Sequence, residues 1–192
     1  MIVPLTKNGV AVLTPNQWHL IENHLNADYK IRGNFLLQTS MRIAEAYYVM
    51  NHPETFRKEN GAIFLPKVEG DEKFGKKRCK QKERAVLLSP NGISAVELFF
   101  SQGVKLPSYQ AMEPAFRLAA KEADFDTRGI TTKMLRKTFV SWLIHCRPEL
   151  RGMIASSAGH TTETMDGYYV TYGFRKEDVK DMREEIKGWG EA

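Results

Sequence analysis

Gly159-His160-Thr161-Thr162-Glu163-Thr164-Met165-Asp166-Gly167-Tyr168-Tyr169 is the stretch on which the reading of this chain turns. A histidine stands nine positions before a tyrosine, directly after the small-residue run Ala155-Ser156-Ser157-Ala158. Glycine before histidine suits a helix C-terminus, and Thr161 or Thr162 can cap a short helix carrying the tyrosines. Upstream, Thr132-Lys133-Met134-Leu135-Arg136-Lys137-Thr138 places Arg136 24 positions before His160. Lys133 and Arg136, three apart, share one face of a helix. Two cations side by side repel unless an anion lies between them. Further upstream, Met41-Arg42-Ile43-Ala44-Glu45-Ala46 puts a charge into a largely apolar helical segment. Arg42 either pairs with Glu45 at i, i+3 on a solvated face or serves a site.

The bulk numbers agree with an intracellular domain that meets a polyanion, without demanding one. The 192 residues fit one domain, 42% are hydrophobic and 27% charged, and the formal net charge is +5. A basic balance favours a polyanionic partner, and its distribution is uneven: Lys76, Lys77, Arg78, Lys80, Lys82 and Arg84 crowd one segment. Two cysteines, Cys79 and Cys146, are too few for a disulfide framework, and no cysteine–histidine cluster has zinc spacing. No apolar run approaches the roughly 20 residues of a membrane span, and the N-terminus lacks a signal-peptide core. A cytoplasmic protein with no membrane association is expected.

The apolar periodicity predicts a mainly helical domain with one small antiparallel sheet. Thr14-Pro15 opens a helix with Trp18, Ile21 and Leu25 on one face. A second helix is expected from Tyr29 to Met50, ended by Asn51-His52-Pro53. Ala62–Leu65 and Ala85–Leu88 read as strands joined by a long basic hairpin, and Ser89-Pro90-Asn91-Gly92 as a turn. The rest reads as helix: Ile93–Phe100, Tyr109–Ala123 with a kink or later start at Pro114, Thr131 or Thr132 to Cys146, Pro148 to near Gly159, and Lys176–Lys187. Val179, Met182, Ile186 and Trp189 form the apolar stripe of that last helix.

In order and spacing, Arg42, Lys133, Arg136, His160 and Tyr169 resemble the catalytic domain of the tyrosine recombinase (phage integrase) family, over roughly residues 13–174 with a C-terminal helix over 175–189. The resemblance implies a single catalytic domain over residues 1–192 with the architecture of DNA breaking-rejoining enzymes. It implies double-stranded DNA as partner and no cofactor or metal. Arg42 and Arg136 would hold the scissile phosphate with His160. Where the family carries His-x-x-Arg this chain has Lys133, as in an archaeal- or viral-like variant, which keeps a cation but loses a group titrating near neutrality. Tyr169 would be the nucleophile on the nine-residue offset, with Tyr168 the alternative on the Thr-x-x-x-Tyr rhythm. Lys80, with Lys77 second, matches the family's hairpin lysine that protonates the leaving 5′-oxygen. The family's N-terminal core-binding domain is expected to be absent, and self-association on DNA is expected through the C-terminal helix. The resemblance fits a prokaryotic host cell, in which a virus or plasmid could carry the gene. Two other readings compete: a non-cleaving DNA-binding module of the same fold, and a type IB topoisomerase-like relaxing activity.

Overall fold

An Asn-Gly turn closes the first hairpin of the chain, after Ile2 has bridged to Phe125. In the computed structural model, which describes residues 1–67, 83–169 and 173–191, β1 (Leu5–Lys7) and β2 (Val10–Val12) pair antiparallel around Asn8 and Gly9, both at positive φ. Two left-handed residues make the tight hairpin whose twist matches its strands. This hairpin lies upstream of Leu13, where the helical pattern begins. Thr14 then caps α1 (Pro15–Asn23), its side chain accepting from the Gln17 amide while the Gln17 side chain accepts from the Thr14 amide.

The expected long second helix is instead two. α2 (Ala27–Thr39) stops at Ser40, which takes a left-handed conformation at φ 47°, and α3 (Ile43–Asn51) starts afresh from Arg42. Apolar periodicity runs across the break, because Met41 is buried along with Phe35 and Leu36. The break is set by polar groups: the Glu45 carboxylate accepts from the Arg42 backbone amide at 2.7 Å, closing the new N-terminus. Arg42 therefore stands at a helix entrance, not inside a helix.

β3 (Phe56–Arg57), β4 (Ala62–Leu65) and β5 (Arg84–Leu87) form an antiparallel sheet in that order. In its β4–β5 register Ala62 faces Leu87 and Leu65 faces Arg84. The connection bearing Lys77 and Lys80 lies outside the described residues. Ser89-Pro90-Asn91-Gly92 is not a free turn. Ser89 accepts from the Gly92 amide and caps α4 (Pro90–Ser101), with Pro90 at its first position.

Four further helices, α5 (Tyr109–Glu122), α6 (Thr132–Cys146), α7 (Arg151–Ala158) and α8 (Thr162–Tyr168), frame the cleft described below. Pro114 is accommodated inside α5. α6 is the central helix, buried along nearly its whole length. Its Thr138 hydroxyl receives the Leu13 amide, and Trp142 donates to the Leu13 carbonyl, which fixes the first hairpin against it. After them, α9 (Lys176–Glu185) packs on its own chain. Met182, Ile186 and Trp189 are buried in the common core, and Trp189 Nε1 donates to the Leu87 carbonyl at 2.9 Å. Among the described residues no helix is long and apolar enough to cross a membrane.

Candidate active site

The break after α2, the start of α6 and the α7–α8 corner meet at one cleft. Its open volume is about 670 Å³, and its lining includes Arg42, Lys133, Arg136, His160, Tyr168 and Tyr169. Arg42, Lys133, Arg136, His160 and Tyr169, all singled out in the sequence, thus share one cavity. Lys80 and its alternative Lys77 lie outside the described residues.

Arg136 projects from α6 into a corner where it is almost fully enclosed, at 8% exposure. Its Nη1 donates to the Ser40 carbonyl and its Nη2 to the Ala158 carbonyl, each at 2.6 Å. The left-handed Ser40 and the end of α7 therefore present carbonyls to one guanidinium, which explains why both helices stop there. Its Nε donates to the Tyr169 hydroxyl at 3.1 Å, and Nη2 also reaches His160 Nε2 at 2.7 Å. Burial lowers the Arg136 pKa, while the neighbouring Tyr169 and Glu45 oppose that shift.

An arginine has only donors, so His160 Nε2 must accept, and the imidazole is the neutral Nδ1–H tautomer. Tyr169 Oη lies 2.8 Å from the same nitrogen, so its proton is directed at the single lone pair that Arg136 Nη2 also shares. Burial, then the positive charges of Arg136 and Arg42, push the His160 pKa down to about 4. The phenol therefore sits between a fixed cation and a proton acceptor. Its backbone is fixed too: Ser141 Oγ, further along α6, donates to the Tyr169 carbonyl at 2.7 Å. Tyr169 is 8% exposed and stands just past the end of α8, whereas Tyr168 is 56% exposed.

Glu45 organises the cations. It is 4% exposed and takes Arg42 Nη1 on Oε1 at 2.8 Å and Arg84 Nη2 on Oε2 at 2.8 Å, with Arg136 Nη1 at 4.0 Å. Burial would raise its pKa, but the Arg84 hydrogen bond and the three guanidinium charges outweigh that and hold it below the ordinary carboxylate range. The Arg42–Glu45 pair is thus real, and Arg42 still faces the cleft, its Nη2 donating to the Gly159 carbonyl at 3.0 Å.

Sequence reasoning missed Arg84. It opens β5, its side chain is 5% exposed, and its Nε donates to the Ser157 carbonyl at 3.0 Å. It therefore ties the sheet to both Glu45 and the end of α7. Gly159 permits this. At φ 67° it ends α7, and a Cβ there would lie 3.0 Å from Arg84 Cζ and Nε. The sequence signal was a basic residue entering an apolar strand, obscured by the lysines before it.

No protein-family model matches the sequence, and no curated protein matches it. Solved structures do. The fold is similar to that of a XerA recombinase, with a TM-score of 0.62 at 15% identity over 95% of this chain and 67% of the other. It is similar to the Tn1549 transposon integrase in complex with circular intermediate DNA, with a TM-score of 0.63 at 14% identity over 92% and 67%. It is also similar to the XerH site-specific recombinase bound to difH substrate in a pre-cleavage complex, with a TM-score of 0.60 at 18% identity over 88% and 52%. The fold is that of tyrosine recombinase catalytic domains, mainly helical with a small antiparallel sheet, as the sequence pattern led one to expect.

Proposed function

We propose that this chain is a DNA strand-cleaving and rejoining domain of the tyrosine recombinase type, with Tyr169 as its nucleophile. The observation that carries the reading is the placement of Tyr169 Oη, held by Arg136 Nε and directed at His160 Nε2 in a cleft whose lining also includes Arg42 and Lys133.

The chemistry follows from this geometry. A scissile phosphate entering the cleft accepts from Arg42, Arg136 and Lys133, which neutralise the charge growing on its non-bridging oxygens. Planar guanidinium forks match those oxygens better than ammonium groups do. As Tyr169 Oη attacks phosphorus, its proton passes to His160 Nε2, which is neutral and already receives that hydrogen bond. The bond from phosphorus to the 5′-oxygen breaks, leaving a 3′-phosphotyrosyl ester and a 5′-hydroxyl. The departing oxygen takes its proton from a hairpin lysine, Lys80 first and Lys77 second. Attack of another strand's 5′-hydroxyl reverses each step and regenerates the phenol. The bond energy is conserved in the ester, so no nucleotide is consumed. Glu45 and Arg84 touch no substrate; they hold Arg42 and the Gly159-His160 corner in place.

A binding-only reading has one observation in its favour. Arg136 already commits four of its five N–H donors to partners within the protein, so a phosphate that takes a two-point contact must displace one of them. A pool of nicked duplexes of randomised sequence separates the readings, because a nick just downstream lets the short fragment bearing the 5′-hydroxyl diffuse away and traps any covalent product. The cleavage reading requires an adduct stable to denaturing gels, formed in chelator and absent in Tyr169→Phe. Salt-sensitive binding with no adduct establishes the binding module instead. Plasmid relaxation without site preference would assign the type IB topoisomerase-like activity. Self-association on DNA through α9 would require it to leave its own groove for a neighbour's; deleting the residues after Phe174 should then abolish multimeric DNA complexes and spare tyrosine attachment, and loss of both would mean that the core had failed.

A further inference from the structure

The cleft does not end at the phosphate pocket. It continues to Val10 and Asn8 of the first hairpin and to Lys137, and it is far larger than one phosphate group fills. The hairpin turn closes this end, with Asn8 Nδ2 donating to the Gly167 carbonyl of α8 at 3.5 Å.

Two lysines line the cleft here, Lys133 and Lys137, one turn apart on α6, and Lys7 of β1, outside the lining, is close enough for its charge to act on Lys137. Lys137 is only 8% exposed, and its Nζ donates to the Lys7 carbonyl at 2.5 Å. Among the described residues no carboxylate lies within ion-pair distance of any of the three. Burial lowers the Lys137 pKa, and the charged groups acting on it, Lys7 and Lys133, lower it further. A partly desolvated ammonium whose charged neighbours among the described residues are cations is unfavourable in the free protein. The nearby Glu45 carboxylate is already engaged by Arg42 and Arg84 and supplies no relief.

We propose that Lys7 and Lys137, with Lys133 between them and the phosphate pocket, form a second anion site that takes a neighbouring phosphodiester of the same DNA strand. The proposal rests on the reading of the cleft as a DNA site, but not on strand cleavage. A chain of phosphates supplies the counter-charge that the described residues do not offer there, and a second anchored phosphate fixes the direction of the strand across Tyr169.

The experiment measures binding of a random-sequence duplex by fluorescence anisotropy across a salt series. It compares wild type, Lys137→Met and Lys121→Met, the last an exposed α5 residue outside the cleft. Removing one phosphate-binding cation should flatten the plot of log affinity against log salt by about 0.9. Lys137→Met should show that flattening and several-fold weaker binding at low salt, and the DNA concentration for half-maximal adduct should rise in step. Its melting temperature should equal or exceed wild type, since repulsion is relieved; a lysine kept only for its bond to the Lys7 carbonyl would instead melt lower and leave the salt slope untouched. Lys121→Met should match wild type. If Lys137→Met fails to fold, Lys7→Met gives the same readout from the more accessible partner. An unchanged slope in both lysine variants overturns the second site even where adduct forms. The predicted slope change without any adduct upholds the site and removes the cleavage reading. A wild type that binds no duplex overturns both.

Discussion

Removing Arg84 should reveal how strongly the cation cluster depends on a residue that touches no substrate. Both Arg84 and Glu45 are 5% exposed at the side chain and meet at 2.8 Å. Breaking a buried pair from one side costs about 3–5 kcal/mol, because the remaining charge is left uncompensated. Glu45 keeps Arg42 and its bond from the Arg42 amide, so Arg84→Met should fall at the lower end, about 3 kcal/mol. Glu45→Gln should cost a similar amount, since three guanidiniums then converge without a carboxylate. The double variant removes both halves of the interaction and should cost well under the sum, leaving a coupling of about 2 kcal/mol. Urea unfolding at pH 7 and low salt measures all four states. Additivity within about 0.5 kcal/mol would refute this coupling. So would Arg84→Met keeping full stability. Arg84 also holds the Ser157 carbonyl just before Gly159-His160, so adduct formation by Arg84→Met should slow even where the variant is fully folded, with Arg84→Lys recovering part of the rate.

Three further outcomes follow from the same geometry. In the free protein His160 should remain neutral down to about pH 4, the Nδ1–H tautomer persisting in nitrogen-15 NMR; a titration near 6.5 would contradict its hydrogen bonds to Arg136 and Tyr169. Because the unfolded chain takes up that proton near 6.5 and the folded chain only near 4, His160 contributes stability above pH 6.5 that disappears as pH falls through this window. Wild type should therefore lose stability relative to His160→Gln on acidification, as urea midpoints at pH 7 and pH 5 would show. Trp189→Ala should destabilise by about 3–5 kcal/mol, as expected for emptying a buried aromatic site, since the ring is 1% exposed and its Nε1 bonds the Leu87 carbonyl. A calorimetric scan showing little change would mean that α9 spends its time elsewhere.

The parts of this molecule legible in the sequence were those written in local chemistry. The Thr14-Pro15 entrance, the Gly159 end of α7 and the Thr161 cap each carry their signal within a few residues. The α2–α3 break was hidden because Met41 continues the apolar stripe across it. What stops the helix is a pair of polar partnerships, one of them far away in sequence: Arg136 on the Ser40 carbonyl and Glu45 on the Arg42 amide. Ser89-Pro90 carried a cap signature that also reads as a turn, and only the continuing helix decides between them. The β1–β2 hairpin was not expected from the sequence although Asn8-Gly9 is a local turn signature, because its strands are only three residues each and its contribution to the cleft depends on packing against α6 and α8. Arg84 could not be distinguished from its basic neighbours, because its role lies in a carbonyl and a carboxylate on other elements. Tyr169 and Tyr168 are adjacent in sequence but differ in burial, a difference set by Ser141 and Arg136.

The most direct test of the central claim is to locate the bond itself. Wild type is incubated with the nicked-duplex pool in chelator, digested with nuclease and protease, and the nucleotide-bearing peptide is sequenced by tandem mass spectrometry. The expected product carries a nucleotide phosphate on Tyr169, with Tyr168→Phe still forming it and Tyr169→Phe forming none. Attachment to Tyr168, or no modified peptide under conditions where the protein binds the duplex, would contradict the assignment.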